Sequence, residues 1–128
     1  MSLLDVRVSV SRFGSDSFVL AAGGELDLHT VDRLREKLAD VLEQGGRRVL
    51  VDLTGVSFMD STALGVLVNA AQALRSSGGR LVLVADDPRV TRVIEITGLE
   101  RVFSIESSLP EAVQRLVGGG DGNGDGRG

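Results

Sequence analysis

The chain has no cysteine, tryptophan or tyrosine, and only one histidine and two prolines among its 128 residues. Each shortage closes off a class of chemistry. Without cysteine there is no disulfide framework and no thiolate to act as nucleophile or metal ligand, a usage that fits the cytosol. Four phenylalanines are the whole aromatic content, too few to build a platform on which bases stack. Basic charge is also short: 14 Lys and Arg against 18 Asp and Glu give a net charge of −4, the wrong sign for a nucleic-acid footprint. No apolar run approaches the ~18 residues of a membrane-spanning helix. The opening MSLLDVRVSV lacks the basic start and apolar stretch of a signal peptide. A cytoplasmic protein that binds neither nucleic acid nor membrane is expected.

What the chain does have is aliphatic side chains in ordered patterns. Its length suits one domain with one core, and that core must be built from Val, Leu, Ile and Ala. VRVSV (6–10) alternates as a half-buried strand does, Gly14, Ser15 and Asp16 offer a hairpin turn, and SFVLAAG (17–23) returns. ELDLHT (25–30) reads as a loop whose Thr30 would cap a helix, and apolar residues at 31, 34, 38, 41 and 42 give that helix its buried face. RRVLVDL (47–53) and RLVLVA (80–85) carry continuous apolar runs, which suit strands covered on both faces. Helices are predicted from Ser61 to Ser77, from Asp87-Pro88 to Gly98, and from the capping-box segment Ser108–Glu111 to Val117. RVFSI (101–105) reads as a last strand. Alternating helices and buried strands predict an α/β fold, a mixed, mostly parallel β-sheet flanked by about four helices, with an N-terminal β-hairpin. The domain is expected to span residues 4–117.

The remainder, 118–128, is glycine-rich, holds no apolar residue, and is expected to be a disordered tail. Its Asp121-x-Asn123-x-Asp125-Gly126 opens like a calcium-binding loop but lacks the closing glutamate and flanking helices that such a loop needs.

The chemistry concentrates in SFMDSTALGVLV (57–68), where Asp60, Ser61 and Thr62 separate an apolar strand from an apolar helix. Hydrolysis is a poor fit. Ser61, His29 and Asp27 could be written as a triad, but there is no G-x-S-x-G elbow, and Asp27 is only two residues from the ring it would orient. Asp27, Asp52 and Asp60 all fall near carboxyl ends of strands, where ligands gather in such sheets. A phosphoaspartate receiver would also need a lysine, and the only one, Lys37, lies in the first helix. Modification remains: at the start of a helix, free N–H groups and the positive dipole end tolerate a phosphate. A plain N-cap explains the same residues and is the better-favoured reading on local chemistry alone. Beyond Ser61 the helix carries no charge until Arg75. Leu64, Leu67, Val68, Ala71 and Leu74 form its sheet-facing stripe; Thr62, Val66, Asn69 and Ala73 form the opposite one. Such an uncharged outer face fits either a docking surface or a more deeply buried helix.

Four segments together, GELDLHTVDRLREKL (24–38), VLVDLTGVSFMDSTALGVLV (49–68), GGRLVLV (78–84) and RVIEITGLERVFSI (92–105), resemble the STAS-domain anti-sigma factor antagonists of bacterial partner-switching systems. The resemblance implies a non-enzymatic protein without cofactor or metal. Its unphosphorylated form would bind an anti-sigma factor that is itself a GHKL-type serine kinase, releasing the sigma factor. Phosphorylation of Ser61, with Thr62 as the runner-up acceptor, would end the binding, and a PP2C-type phosphatase would restore it. The partner surface would comprise Asp27, His29, Asp60, Ser61, Thr62, Val66 and Asn69. One position departs: Ala63 stands where the family usually has glycine, placing a methyl group at the helix entrance that a kinase must approach. The alternative is a STAS adaptor used without phosphorylation, as an accessory subunit of a lipid-transport ABC complex or as a signalling scaffold.

Overall fold

The computed structural model describes residues 6–118. The expected tail beyond Gly118, with the Asp121–Gly126 run, lies outside the described residues, as do residues 4 and 5. The elements run β1 (Val6–Phe13), β2 (Ser17–Leu26), α1 (Asp32–Glu43), β3 (Arg48–Met59), α2 (Ser61–Ser76), β4 (Arg80–Val84), α3 (Pro88–Ile96), a single 3₁₀ turn (Leu99–Arg101), β5 (Ser104–Glu106) and α4 (Leu109–Val117).

The sheet keeps chain order, β1-β2-β3-β4-β5. β1 pairs antiparallel with β2 through the hairpin, and every later pair is parallel. Because the order never reverses, right-handed crossovers put all connecting helices on one face. Leu34, Leu38 and Val41 of α1, the inner stripe of α2, and Val90 and Ile94 of α3 pack there on Phe18, Leu20, Val49, Val51, Leu53, Leu81 and Leu83. α4 follows the last strand and covers the other face, where Ala112 and Leu116 meet Leu50, Val82 and Val84. This explains the continuous apolar runs: Val49, Leu50 and Val51 point alternately into the two cores, and all three are fully buried. Each such side chain contributes about 1.5–3 kcal/mol by leaving water.

Two strands run further than the sequence pattern indicates. β2 continues through Glu25-Leu26, in the segment read as a loop, and β3 continues from Leu53 to Met59. Thr54-Gly55 has the look of a turn, but the ladder passes through it by two irregularities, between Ala21 and Gly23 and between Gly24 and Glu25. Gly24 takes φ of +99° there, a backbone that a side chain would strain. The last strand is shorter than expected. Arg101 lies in the 3₁₀ turn, and only Ser104–Glu106 joins the sheet, because Phe103 is turned into the core.

The helix caps are mixed in outcome. Asp87 accepts from the Arg89 amide (2.9 Å), and Ser108 accepts from the Glu111 amide (3.4 Å), as the sequence indicates. Thr30 does not cap α1. Its hydroxyl is held inside the preceding loop, donating to the Glu25 carbonyl (2.6 Å) and accepting from the Asp27 amide (3.0 Å), and α1 begins after Val31 with no side-chain cap.

Gly79 and Gly65 should respond oppositely to the same change. A methyl at Gly79 would lie 2.1 Å from the Arg47 carbonyl oxygen, which already accepts from the Arg80 amide to start the β3–β4 pairing. At Gly65, inside α2, nothing lies within 4 Å of that methyl. In urea denaturation Gly79→Ala is expected to lose about 1–3 kcal/mol of stability. Gly65→Ala is expected to gain ~0.5–1 kcal/mol from helix propensity.

Candidate functional site

The extended β3 decides where the acid–serine–threonine segment sits. Pairing of Leu26 with Met59 brings the ends of β2 and β3 together, and the Asp60 amide adds one more hydrogen bond to the Leu26 carbonyl (3.1 Å). Asp60 is therefore fixed by the sheet before the helix begins. Its carboxylate then spans two elements. One oxygen accepts from the Ala63 amide (3.0 Å) and caps α2; the other accepts from the Leu28 amide (3.0 Å) in the β2–α1 loop. The loop holds itself with a second acid: Asp27 accepts from the amides of His29 (2.9 Å) and Thr30 (3.1 Å).

Asp60, rather than Ser61, is thus the N-cap. Ser61 occupies the first helical position, it is exposed, and its hydroxyl makes no hydrogen bond among the described residues. The hydroxyl has no structural duty. It stands where the first amides of a 16-residue helix leave a positive end, an electrostatic setting favourable to a phosphate by ~0.3–1 kcal/mol. Thr62 is only half-exposed.

The other expected site residues sort by location. Asp27, His29, Asp60, Ser61 and Thr62 lie together on the β2–α1 loop and the start of α2, with His29 exposed. Asn69 is also exposed, two turns further along α2. Val66 is a correction. It is 8% exposed and belongs to the core, lining the α1–α2 seam with Leu38, Leu42 and Ala70. α1 covers part of the stripe read as an outer face, so Val66, and Ala70 beside that stripe, are uncharged because they are buried. Ala63 is a second correction: its methyl is fully buried, so it points away from the surface that a kinase would approach. Asp52 lies apart, on the opposite sheet face, and accepts from the amide and hydroxyl of Thr54 (2.9 and 2.7 Å). Among the described residues no three acidic, histidine or cysteine side chains gather closely enough to hold a metal.

Two residues of this region escape the sequence reading. Leu28 is 66% exposed and Phe58 is 45% exposed. Leu28 carried a faint signal, as the one large apolar residue within the polar run DLHT. Phe58 carried none, because only the irregularity in β3 puts it out of phase with the buried Val56 and Met59.

The double role of Asp60 predicts an outcome that an ordinary cap would not give. Asp60→Ala should cost more than the ~1 kcal/mol typical of a lost cap, and more than Asp87→Ala, whose carboxylate reaches no element other than its own helix. Hydrogen exchange should show the Leu28 and Ala63 amides losing protection together.

The same architecture and much of the sequence recur in known proteins. A family model described as the STAS domain matches residues 9–112. The anti-sigma-B factor antagonist of Staphylococcus aureus (strain NCTC 8325 / PS 47) is 38% identical over 101 residues, which is 78% of this chain and 94% of that protein. Among solved structures, an anti-sigma factor antagonist from Mycobacterium paratuberculosis aligns with a TM-score of 0.81 and 25% identity, covering 88% of this chain and 95% of that one. The anti-sigma factor antagonist SpoIIAA in its unphosphorylated form aligns with a TM-score of 0.75 and 26% identity, covering 88% and 97%. The phosphorylated form of SpoIIAA, a Bacillus cell fate determinant, aligns at 0.68 and 25%, covering 86% and 99%. With the family model spanning most of its length and these relatives matched almost end to end, the chain belongs to the STAS-domain family.

Proposed function

We propose that the protein is an anti-sigma factor antagonist: unmodified, it binds an anti-sigma factor and so frees a sigma factor, and phosphorylation of Ser61 ends that binding. The observation that carries this reading is the division of labour between Asp60 and Ser61. Asp60 caps the helix, so the adjacent hydroxyl is left exposed and unbonded among the described residues. The names of the relatives support the same reading. The partner would be an anti-sigma factor of the GHKL serine-kinase type, using ATP and magnesium, and a PP2C-type phosphatase would reverse the modification. The chain itself would be a cytoplasmic substrate and ligand, not a catalyst. Asp27, His29, Asp60, Ser61, Thr62 and Asn69 would meet the partner, with Val66 contributing no more than its small exposed edge. Ser61 is preferred to Thr62 as acceptor because it is the more exposed.

The magnitude of the switch is adequate. Phosphoserine adds ~1.5–2 negative charges. Against a partner carboxylate at ~4 Å, each unit charge costs ~4 kcal/mol at an effective dielectric of ~20, and every ~1.4 kcal/mol is tenfold in affinity. The ~0.3–1 kcal/mol gained at the helix end does not offset this, so one phosphate can release the partner without refolding the domain.

Incubation with the partner kinase and Mg-ATP is expected to add one phosphate, localised to Ser61 by fragment-ion mass spectrometry. Ser61→Ala should keep binding and take no phosphate. Ser61→Asp should bind at least tenfold more weakly. A chain that stays unmodified, or a Ser61→Asp variant that binds as wild type does, would instead favour a constitutive adaptor.

A further inference from the structure

The two carboxylates beside Ser61 are largely spent on the fold. Asp60 uses both of its oxygens on backbone amides, and Asp27 holds the amides of its own loop. Both keep their negative charge, since backbone amides are neutral donors, but these bonds hold them in place. The surface beside them also offers apolar side chains. Leu28 is tied through its amide to Asp60, and Phe58 lies two residues before Asp60. Two residues lie between Phe58 and Ser61, so their Cα atoms are no more than ~11 Å apart. The Glu25–Phe58 row lies between two rows with buried side chains, that of Val6 and Val56 and that of Leu26 and Met59. Strand alternation therefore turns Phe58 away from the helices onto the lip of the sheet. Leu28 and Phe58 are 66% and 45% exposed, one on the loop and one on the strand that Asp60 joins.

We propose that Leu28 and Phe58 are the apolar anchors of the anti-sigma factor interface, and that the partner covers this end of the sheet with a complementary apolar surface around the Ser61 hydroxyl. The inference rests on the functional reading above and adds the source of affinity to it. Interfaces draw most of their binding from a few desolvated anchors while rim charges contribute little, and phenylalanine is among the residues enriched in interface cores. In this arrangement the apolar anchors supply the holding force, and the nearby serine supplies the release. Asp60 serves both, since the carboxylate that caps the helix of Ser61 also pins the Leu28 loop.

The test is titration calorimetry of the purified kinase that phosphorylates Ser61 against five forms of the full chain: wild type, Leu28→Ala, Phe58→Ala, Ile96→Ala and Ser61→Asp. Ile96, on α3, is 77% exposed and serves as an apolar control away from Ser61. Leu28→Ala and Phe58→Ala are each expected to weaken binding about tenfold or more, with Ile96→Ala unchanged. Phe58 is partly buried, so its thermal unfolding is measured alongside, and the more exposed Leu28 carries the test if Phe58→Ala fails to fold. Leu28→Ala binding as wild type does, while Ser61→Asp is weakened, would overturn the anchors and leave the switch intact. Equal weakening by Ile96→Ala would also overturn them. Unweakened binding by Ser61→Asp would instead overturn the functional reading.

Discussion

The Asp60 carboxylate is the joint on which this end of the molecule depends. It is placed by the sheet, through an amide that continues the β2–β3 ladder, and it reaches the helix and the loop with separate oxygens. Three elements that come from different parts of the chain are thereby fixed at one point. Because the acid does the capping, the residue after it is released from structural work. A regulatory hydroxyl has to be free in this sense: one engaged in holding the helix could not be modified without loosening the helix itself.

The placement also accounts for how a small chemical change could act at an interface while the fold stays as it is. A phosphate at the first position of α2 meets the positive end of the helix, a mildly favourable setting. The same phosphate facing an acidic partner is strongly unfavourable, because the charges would approach across a partly dehydrated contact. On the proposed reading, the domain would tolerate the modification and the complex would be sensitive to it. Stability comes from elsewhere, from a β3 strand buried on both faces between three crossover helices and α4. The core runs the length of β3 to Met59 and continues into Ala63 and Leu64, so the exposed Ser61 stands directly on it.

Much of this was legible in the sequence. Apolar runs at Val49–Val51 and Leu81–Val84 required cover on both faces, and periodic helices between them required a parallel sheet, because both signals come from local side-chain burial. Asp87 and Ser108 announced their helices because a cap needs only the next few residues. Asp60-Ser61-Thr62 was visible as a helix start for the same reason, and the resemblance carried by the surrounding motifs pointed to Ser61.

What the sequence left open depended on neighbours far away in the chain. Which of Asp60 and Ser61 is the cap was settled by the β2–β3 pairing, which fixes Asp60 before the helix begins. Whether Val66 faces a partner or the core was settled by α1, some 30 residues earlier, lying across it. The burial of the Ala63 methyl followed from how α2 docks on the sheet, and the exposure of Phe58 followed from an irregularity that puts one extra β3 residue beside β2. The sequence by itself therefore determined the elements, their order and the helix start at Asp60-Ser61-Thr62, since these rest on periodicity and short-range hydrogen bonding. Tertiary structure alone decided which side chains around that helix start are buried, bonded or exposed, because exposure is set by whatever else packs against a side chain.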